Sequence, residues 1–167
     1  NAAVYWLARM LAGGEDIKFI ARRMLISASE DIGLANPNAL TVATQCFQAV
    51  NVIGNPEARI ILSECAVYLA VSPKSNSSYL AINEALSFVK KTGNLPVPLH
   101  LRNAPTKLMK DMNYGKNYQY AHDYKEGFVE QEFLPEEIRG TKFYQPKQNA
   151  TEQKILEELK KKWKKYY

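Results

Sequence analysis

The first ninety residues carry apolar side chains at helical spacing, interrupted repeatedly by residues that start or stop helices. That punctuation leaves little room for any other architecture. In residues 4–11, Val4, Leu7, Ala8 and Leu11 share one helical face, and Gly13-Gly14 follows where a helix C-terminus favours glycine. Asp16 is placed to cap a second helix, whose stripe of Ile17, Ile20, Ala21, Met24, Leu25 and Ala28 is closed by Gly33. Asn36-Pro37 and Asn55-Pro56 each read as a start signal. Asparagine would cap the helix and proline would take its first position, where the missing N–H costs nothing. Gly54 ends the third helix. The fourth, with Ile60, Ile61, Cys65, Tyr68 and Leu69, stops before Pro73. A fifth is expected over 79–91, with Ile82, Leu86 and Val89 buried and Gly93 at its end. Nothing alternates with the period of two that a strand needs. The expected fold class is therefore all-α, a bundle of mostly antiparallel helices joined by short loops.

Beyond Gly93 the pattern changes. Residues 95–149 are rich in proline, tyrosine and phenylalanine and lack periodicity; a disordered linker would be poor in aromatics, so this segment is expected to wrap over the bundle. Within it, residues 104–112 form a short helix starting at Pro105. Residues 151–166 read as a lysine-rich amphipathic helix with Ile155, Leu159, Trp163 and Tyr166 along one side. The expected organisation is thus a bundle over 1–94, an irregular wrap over 95–149 and a basic terminal helix over 150–167. The first residue is not methionine, and the chain reads as a piece of something longer.

Several functions lack the residues they would need. No G-x-x-x-x-G-K-[ST] or G-x-G-x-x-G segment is present to cradle a phosphate, so no nucleotide site is expected. His122-Asp123 is an adjacent pair, but no nucleophile elbow accompanies it, and neighbours in sequence tend to point apart. His100 and His122, with Asp111 and Asp123, match no metal-ligand spacing. Glu136-Glu137 and Glu157-Glu158 fall on a turn and a solvated helix face. Cys46 and Cys65 sit on apolar helical patterns without a C-x-x-C, and are expected to be reduced and buried. The longest apolar run, residues 60–71, is interrupted by Ser63 and Glu64 and is too short to span a bilayer. No catalytic, cofactor or metal residue is nominated.

Charge points to a different chemistry. The net charge is +5 and is unevenly placed: residues 1–94 hold eight Lys and Arg against seven Asp and Glu, the remainder fourteen against ten. Residues 95–123 hold both histidines and a run of basic and tyrosine side chains. Lys74, His100, Arg102, Lys107, Lys110 and Lys116 are the candidate DNA- or partner-contacting residues, because phosphate contacts draw on lysine and arginine at loops and helix ends. Tyr114, Tyr118 and Tyr120 have two readings: exposed rings on which bases stack, or buried rings bracing the domain. The terminal helix also has two: docking on its own domain or on a neighbouring subunit.

At this point six segments together resemble a known family. They are YWLARML (5–11), SEDIG (29–33), YLAVSPKSN (68–76), VPLHLRNAPTKLMK (97–110), YGKNYQYAHD (114–123) and LPEEIRGTKFYQP (134–146). In this order they resemble the C-terminal region of the replication-associated recombination protein A family. That is the bacterial counterpart of the Werner-helicase-interacting ATPases and the maintenance-of-genome-stability proteins. The resemblance implies an AAA+ ATPase parent, stimulated by DNA, related to clamp loaders and acting at stalled forks in the bacterial cytoplasm. ATP and Mg would then bind in a domain upstream of these residues, with no cofactor in this region. It also implies a collar-like helical module that assembles subunits, as a homotetramer. DNA and a single-strand-binding protein are the further expected partners, and no membrane. No catalytic residue is implied here.

Overall fold

A computed structural model describes residues 1–164, 166 and 167. Among them the chain is all-helical, without a strand: α1 (Ala2–Ala12), α2 (Ile17–Ser27), α3 (Asn38–Ile53), α4 (Ala58–Val71), α5 (Ser77–Thr92), α6 (Lys107–Asp111) and α7 (Ala150–Lys162), joined by 3-10 and π turns. The all-α expectation holds. No described helix is long and apolar enough to cross a membrane. The chain divides into two units, Asn1–Asn83 with Tyr144–Ile155, and Glu84–Phe143 with Leu156–Tyr167.

The first unit is built on small residues at matched spacing. α3 buries Ala39, Ala43, Cys46 and Val50, and α4 buries Ala58, Leu62, Cys65 and Leu69. Both sets follow a four-three-four spacing, so two narrow ridges meet where these helices pack. α2 packs on both helices through Ile20 and Ala21, and α1 packs on α4 through Leu7. Asp16 caps α2 as expected, its carboxylate accepting from the Lys18 N–H at 3.0 Å.

Several helix boundaries differ from their expectation. α2 stops at Ser27 and continues as a π turn, Ala28–Ile32, where Ser27 Oγ donates to Asp31 Oδ2 at 2.6 Å and Ser29 Oγ to the Leu25 carbonyl at 3.4 Å. Side chains that bond locally compete with the helical ladder in this way. Asn36 does not cap α3. Its amide donates instead to Tyr68 Oη and Ser72 Oγ, each at 3.1 Å, which ties the entry of α3 to the end of α4. Asn55 does not cap α4 either, which opens at Ala58 without a side-chain cap.

Gly33 is required where it stands. Its φ is +47°, and a Cβ there would lie 2.7 Å from the Ser75 carbonyl oxygen. The close approach exists because the Ser75 N–H donates to the Asp31 carbonyl at 2.8 Å. The SEDIG and SPKSN segments are therefore one clasp.

A buried carboxylate then fastens the C-terminal part of this unit. Glu152 is fully buried in the first turn of α7. It accepts from Ser77 Oγ at 2.5 Å, Asn149 Nδ2 at 2.5 Å and Tyr144 Oη at 3.0 Å, while its own N–H donates to Asn149 Oδ1 at 2.9 Å. Thr151 Oγ1 donates to the Ala35 carbonyl at 3.0 Å, and Lys147 donates to Asn76. Burial alone would raise the Glu152 pKa. Hydrogen bonds from Ser75, Ser77, Asn149 and Tyr144 outweigh it and hold the carboxyl below its ordinary range.

Cys46 and Cys65 are free and buried, on the facing ridges of α3 and α4. A hydrogen bond with Cys46, followed by burial, pushes the Cys65 thiol far above its ordinary value. Burial between the two helices is expected to keep iodoacetamide at neutral pH from either cysteine in the folded chain, with both labelled after denaturation, read by mass spectrometry. Rapid native labelling would contradict this packing.

In the second unit, rings replace helix ridges. Trp163 follows the last residue of α7 and meets Phe128, Phe133 and Tyr166 at centroid distances of 5.1, 6.1 and 5.9 Å. Phe88 and Phe143 stack edge-to-face at 5.6 Å. Glu132 gathers the irregular chain: it accepts from the Phe133 and Leu134 N–H groups at 3.0 Å and from Tyr166 Oη, with Arg139 Nε 3.6 Å away. α6 begins later than its expected Pro105 start, because Thr106 caps it by accepting from the Met109 N–H at 3.3 Å.

Candidate functional site

The six nominated side chains divide by what holds them. Lys74, in the first unit, donates from Nζ to the Leu69 and Ser72 carbonyls at 2.6 and 2.8 Å, closing the C-terminal end of α4. Arg102 donates from Nε to the Val97 carbonyl at 2.6 Å and from Nη1 to Tyr114 Oη at 3.1 Å. Its guanidinium lies 5.0 Å from the centroid of the Tyr114 ring. His100 Nε2 lies 2.9 Å from the Glu132 carbonyl, and so donates to it. These three have bonding partners within the fold. Lys107, Lys110 and Lys116 are exposed, the first two on α6.

A cavity of about 400 Å³ in the second unit brings two of the six together, His100 and Lys116. Asn113, Asn117 and Gln131 also line it, and sequence reasoning did not nominate these three. Asn113, Gly115 and Asn117 have φ of 65°, 70° and 64°. Asparagine and glycine are the residues that tolerate this left-handed backbone, so the N-Y-G-K-N spacing was a readable signal for a tight loop. The loop is pinned by the Gly115 N–H, which donates to the Leu99 carbonyl at 2.8 Å. Gln131 Nε2 is buried without a hydrogen-bond partner. The tyrosines separate as well: Tyr114 is half-buried under Arg102, whereas Tyr118 and Tyr120 are exposed. Among the described residues, no three His, Cys, Asp or Glu side chains are placed to hold a metal.

A second candidate surface is α5. The expectation that Ile82, Leu86 and Val89 are buried is overturned: they are 55%, 54% and 59% exposed, and Tyr79 on the same stripe is 43% exposed. Among the described residues the closely packed helix pairs are α1–α4, α2–α3, α2–α4 and α3–α4, and α5 is not among them. Three apolar residues of the 95–123 segment, Leu99, Leu108 and Met112, are also exposed rather than buried. Periodicity shows that a face is apolar, not what covers it.

Comparison with known proteins identifies the class to which this all-helical chain belongs. The chain belongs to the C-terminal domain family of the MgsA AAA+ ATPases: the family model described as MgsA AAA+ ATPase C terminal matches residues 1–163. It is 46% identical to the replication-associated recombination protein A of Coxiella burnetii and 43% identical to that of Escherichia coli K12. Each match covers 95% of this chain and 36% of the relative. It is also 47% identical to the ATPase WRNIP1 of Dictyostelium discoideum, over 88% of this chain and 17% of that protein. The chain thus spans about a third or less of the length of these relatives.

Proposed function

We propose that this chain is the self-association module of a longer AAA+ ATPase that works in DNA replication, recombination and repair, and that it assembles as a homotetramer. The uncovered α5 stripe carries this reading. Water-exposed Tyr79, Ile82, Leu86 and Val89 recur at helical spacing along one face of α5, and large exposed apolar faces are rare on monomers. Covering each side chain contributes on the order of 1 kcal/mol in every copy. A symmetric assembly is the economical cover, because it multiplies a single face. The parent would bind ATP and Mg in its ATPase domain and act in the cytoplasm, leaving this chain without hydrolytic activity of its own.

Light scattering across a dilution series, at low and high salt, tests this reading. The expected result is a defined oligomer whose mass is insensitive to salt, as an apolar interface requires. A monomer at every concentration would remove the reading.

A second role is favoured by a separate observation: Lys107, Lys110 and Lys116 stand exposed in a segment that also exposes Tyr118 and Tyr120. This combination suits DNA, with lysines on phosphates and rings against bases. An acidic surface on a single-strand-binding protein would meet the lysines but leave the rings without a role.

A further inference from the structure

We infer that the open apolar face of α1 and α2 is where the ATPase domain of the parent protein docks on this chain, in cis. The inference rests on the reading that the chain belongs to a longer AAA+ ATPase, and not on self-association.

For an amphipathic helix, α1 is poorly covered. It has eleven residues, buries only Leu7, and leaves Val4, Tyr5, Trp6 and Met10 exposed. A helix of that length is marginal in water by itself, so packing must hold it. Its close contact is with α4, and an open furrow lies on either side of Leu7. One, of about 360 Å³, lies between Trp6 and Met10 of α1 and Phe19 and Met24 of α2, with Leu69 of α4 in its lining. The other, of about 540 Å³, is bounded by Val4 and Leu11 of α1 and Ile60 of α4. Single apolar side chains scattered on a surface are ordinary. Exposed Trp6, Met10 and Phe19 gathered in one furrow mark a docking surface.

Two observations select the occupant. The family match describes a C-terminal domain, and the chain covers 36% of the recombination protein A relatives, so most of such a protein lies upstream. That polypeptide joins at residue 1, directly before α1 starts at Ala2, and reaches this face with no linker to span. A domain tethered so closely meets the face at an effective concentration in the millimolar range, where a modest contact suffices. Charge is the second observation. Arg9 lies over the Trp6 ring at 5.8 Å, Arg22 over Phe19 at 6.0 Å, and Arg23 lines the first furrow. Among the described residues no acidic side chain lines that furrow, although Asp16 reaches Arg22 at 4.0 Å. Two copies paired symmetrically through this face would set arginine against arginine. The surface that fits is apolar, with acidic groups at its edge.

Hydroxyl-radical footprinting of this chain and of the full-length parent, read by mass spectrometry, tests the inference. Trp6 and Phe19 are expected to oxidise readily in the isolated chain. In the parent the Trp6 rate should fall about fivefold or more, as a ring 58% exposed becomes interface core. The protection should be the same across a dilution series, because a tethered domain does not leave on dilution. Met10→Glu in the parent should return both rings to their isolated-chain rates, while shifting the melting temperature of the isolated chain by less than about 3 °C. Should that variant fail to fold, the two unsubstituted proteins still decide between the outcomes.

Equal oxidation in chain and parent would overturn the inference, and would leave assembly through α5, read separately by light scattering, untouched. Rings already protected in the isolated chain, or protection in the parent that is lost on dilution, would assign the face to another copy and overturn it as well.

Discussion

Glu152→Ala is expected to destabilise the first unit by about 3–5 kcal/mol, with the melting temperature falling by roughly 15 °C or more. The magnitude follows from what remains behind. Truncation removes the acceptor from the buried Ser77 hydroxyl and ends the bonds that the half-buried Tyr144 hydroxyl and Asn149 amide make to it. Hydrogen bonds to a charged acceptor are worth about 1.5–3 kcal/mol each, though shared losses do not simply add. A domain of this size has a total stability of only about 5–15 kcal/mol. The Tyr144–Ile155 piece should accordingly become the first part of the unit to open to proteolysis.

Acid should uncover the same charge. The Glu152 carboxyl is held below its ordinary range in the folded state, so the unfolded chain binds its proton more readily. The stabilisation is then complete above the ordinary carboxylate pKa and is lost as pH falls through the lower, folded value. The gap in melting temperature between the unsubstituted chain and Glu152→Gln should narrow from about pH 7 to about pH 3. Comparing the two proteins cancels the parallel contribution of Glu132, whose pKa is also lowered: burial raises it, and bonds from Tyr166, Leu134 and Phe133 together with Arg139 outweigh that. A gap that stays constant across that range would mean the ionised form is not what the donors stabilise.

The second large effect is expected at Leu86. It lies midway between Ile82 and Val89 on the α5 stripe and is 54% exposed within one chain. Leu86→Asp should change the stability of the isolated subunit by less than about 0.5 kcal/mol, the usual range for a surface substitution. In an assembly the same change buries a charge at every copy of the interface. Leaving an unpaired carboxylate in an apolar contact costs several kcal/mol, so association should weaken by at least about a thousandfold. Helical circular dichroism should persist. Loss of both structure and assembly would place Leu86 in the fold rather than at an interface.

These two sites show where sequence reading works and where it stops. α2 to α4 were legible because each buries one stripe against another helix of the same chain, while α1 buries only Leu7 of its apolar face; glycine or a capping aspartate marks several of the ends. α5 has the same periodicity, so its helix was legible while its exposure was not: Ile82, Leu86 and Val89 look alike whether a neighbour in cis or in trans covers them. Glu152 was missed for the opposite reason. A glutamate in a polar stretch reads as surface, although Asn149-x-x-Glu152 has the spacing of a helix-start capping pair. Of its other partners, Tyr144 precedes it by eight residues and Ser77 by seventy-five, and the latter lies beyond any local pattern. Asn36 shows the same limit, since its side chain chose Tyr68 and Ser72 over the cap. Residue type nominated Lys74 and, in the basic segment, Arg102, but geometry gave both of them bonds within the fold. Asn113, Asn117 and Gln131 carry no charge to draw attention and enter only through the cavity they line.

The central claim is that the α5 face holds copies of this chain together. The most direct measurement is the molar mass, by light scattering at matched concentration, of the unsubstituted chain beside Leu86→Asp, with circular dichroism on the same samples. A tetramer beside a folded monomer is the predicted result. Equal masses for two folded proteins would contradict it and place the interface elsewhere.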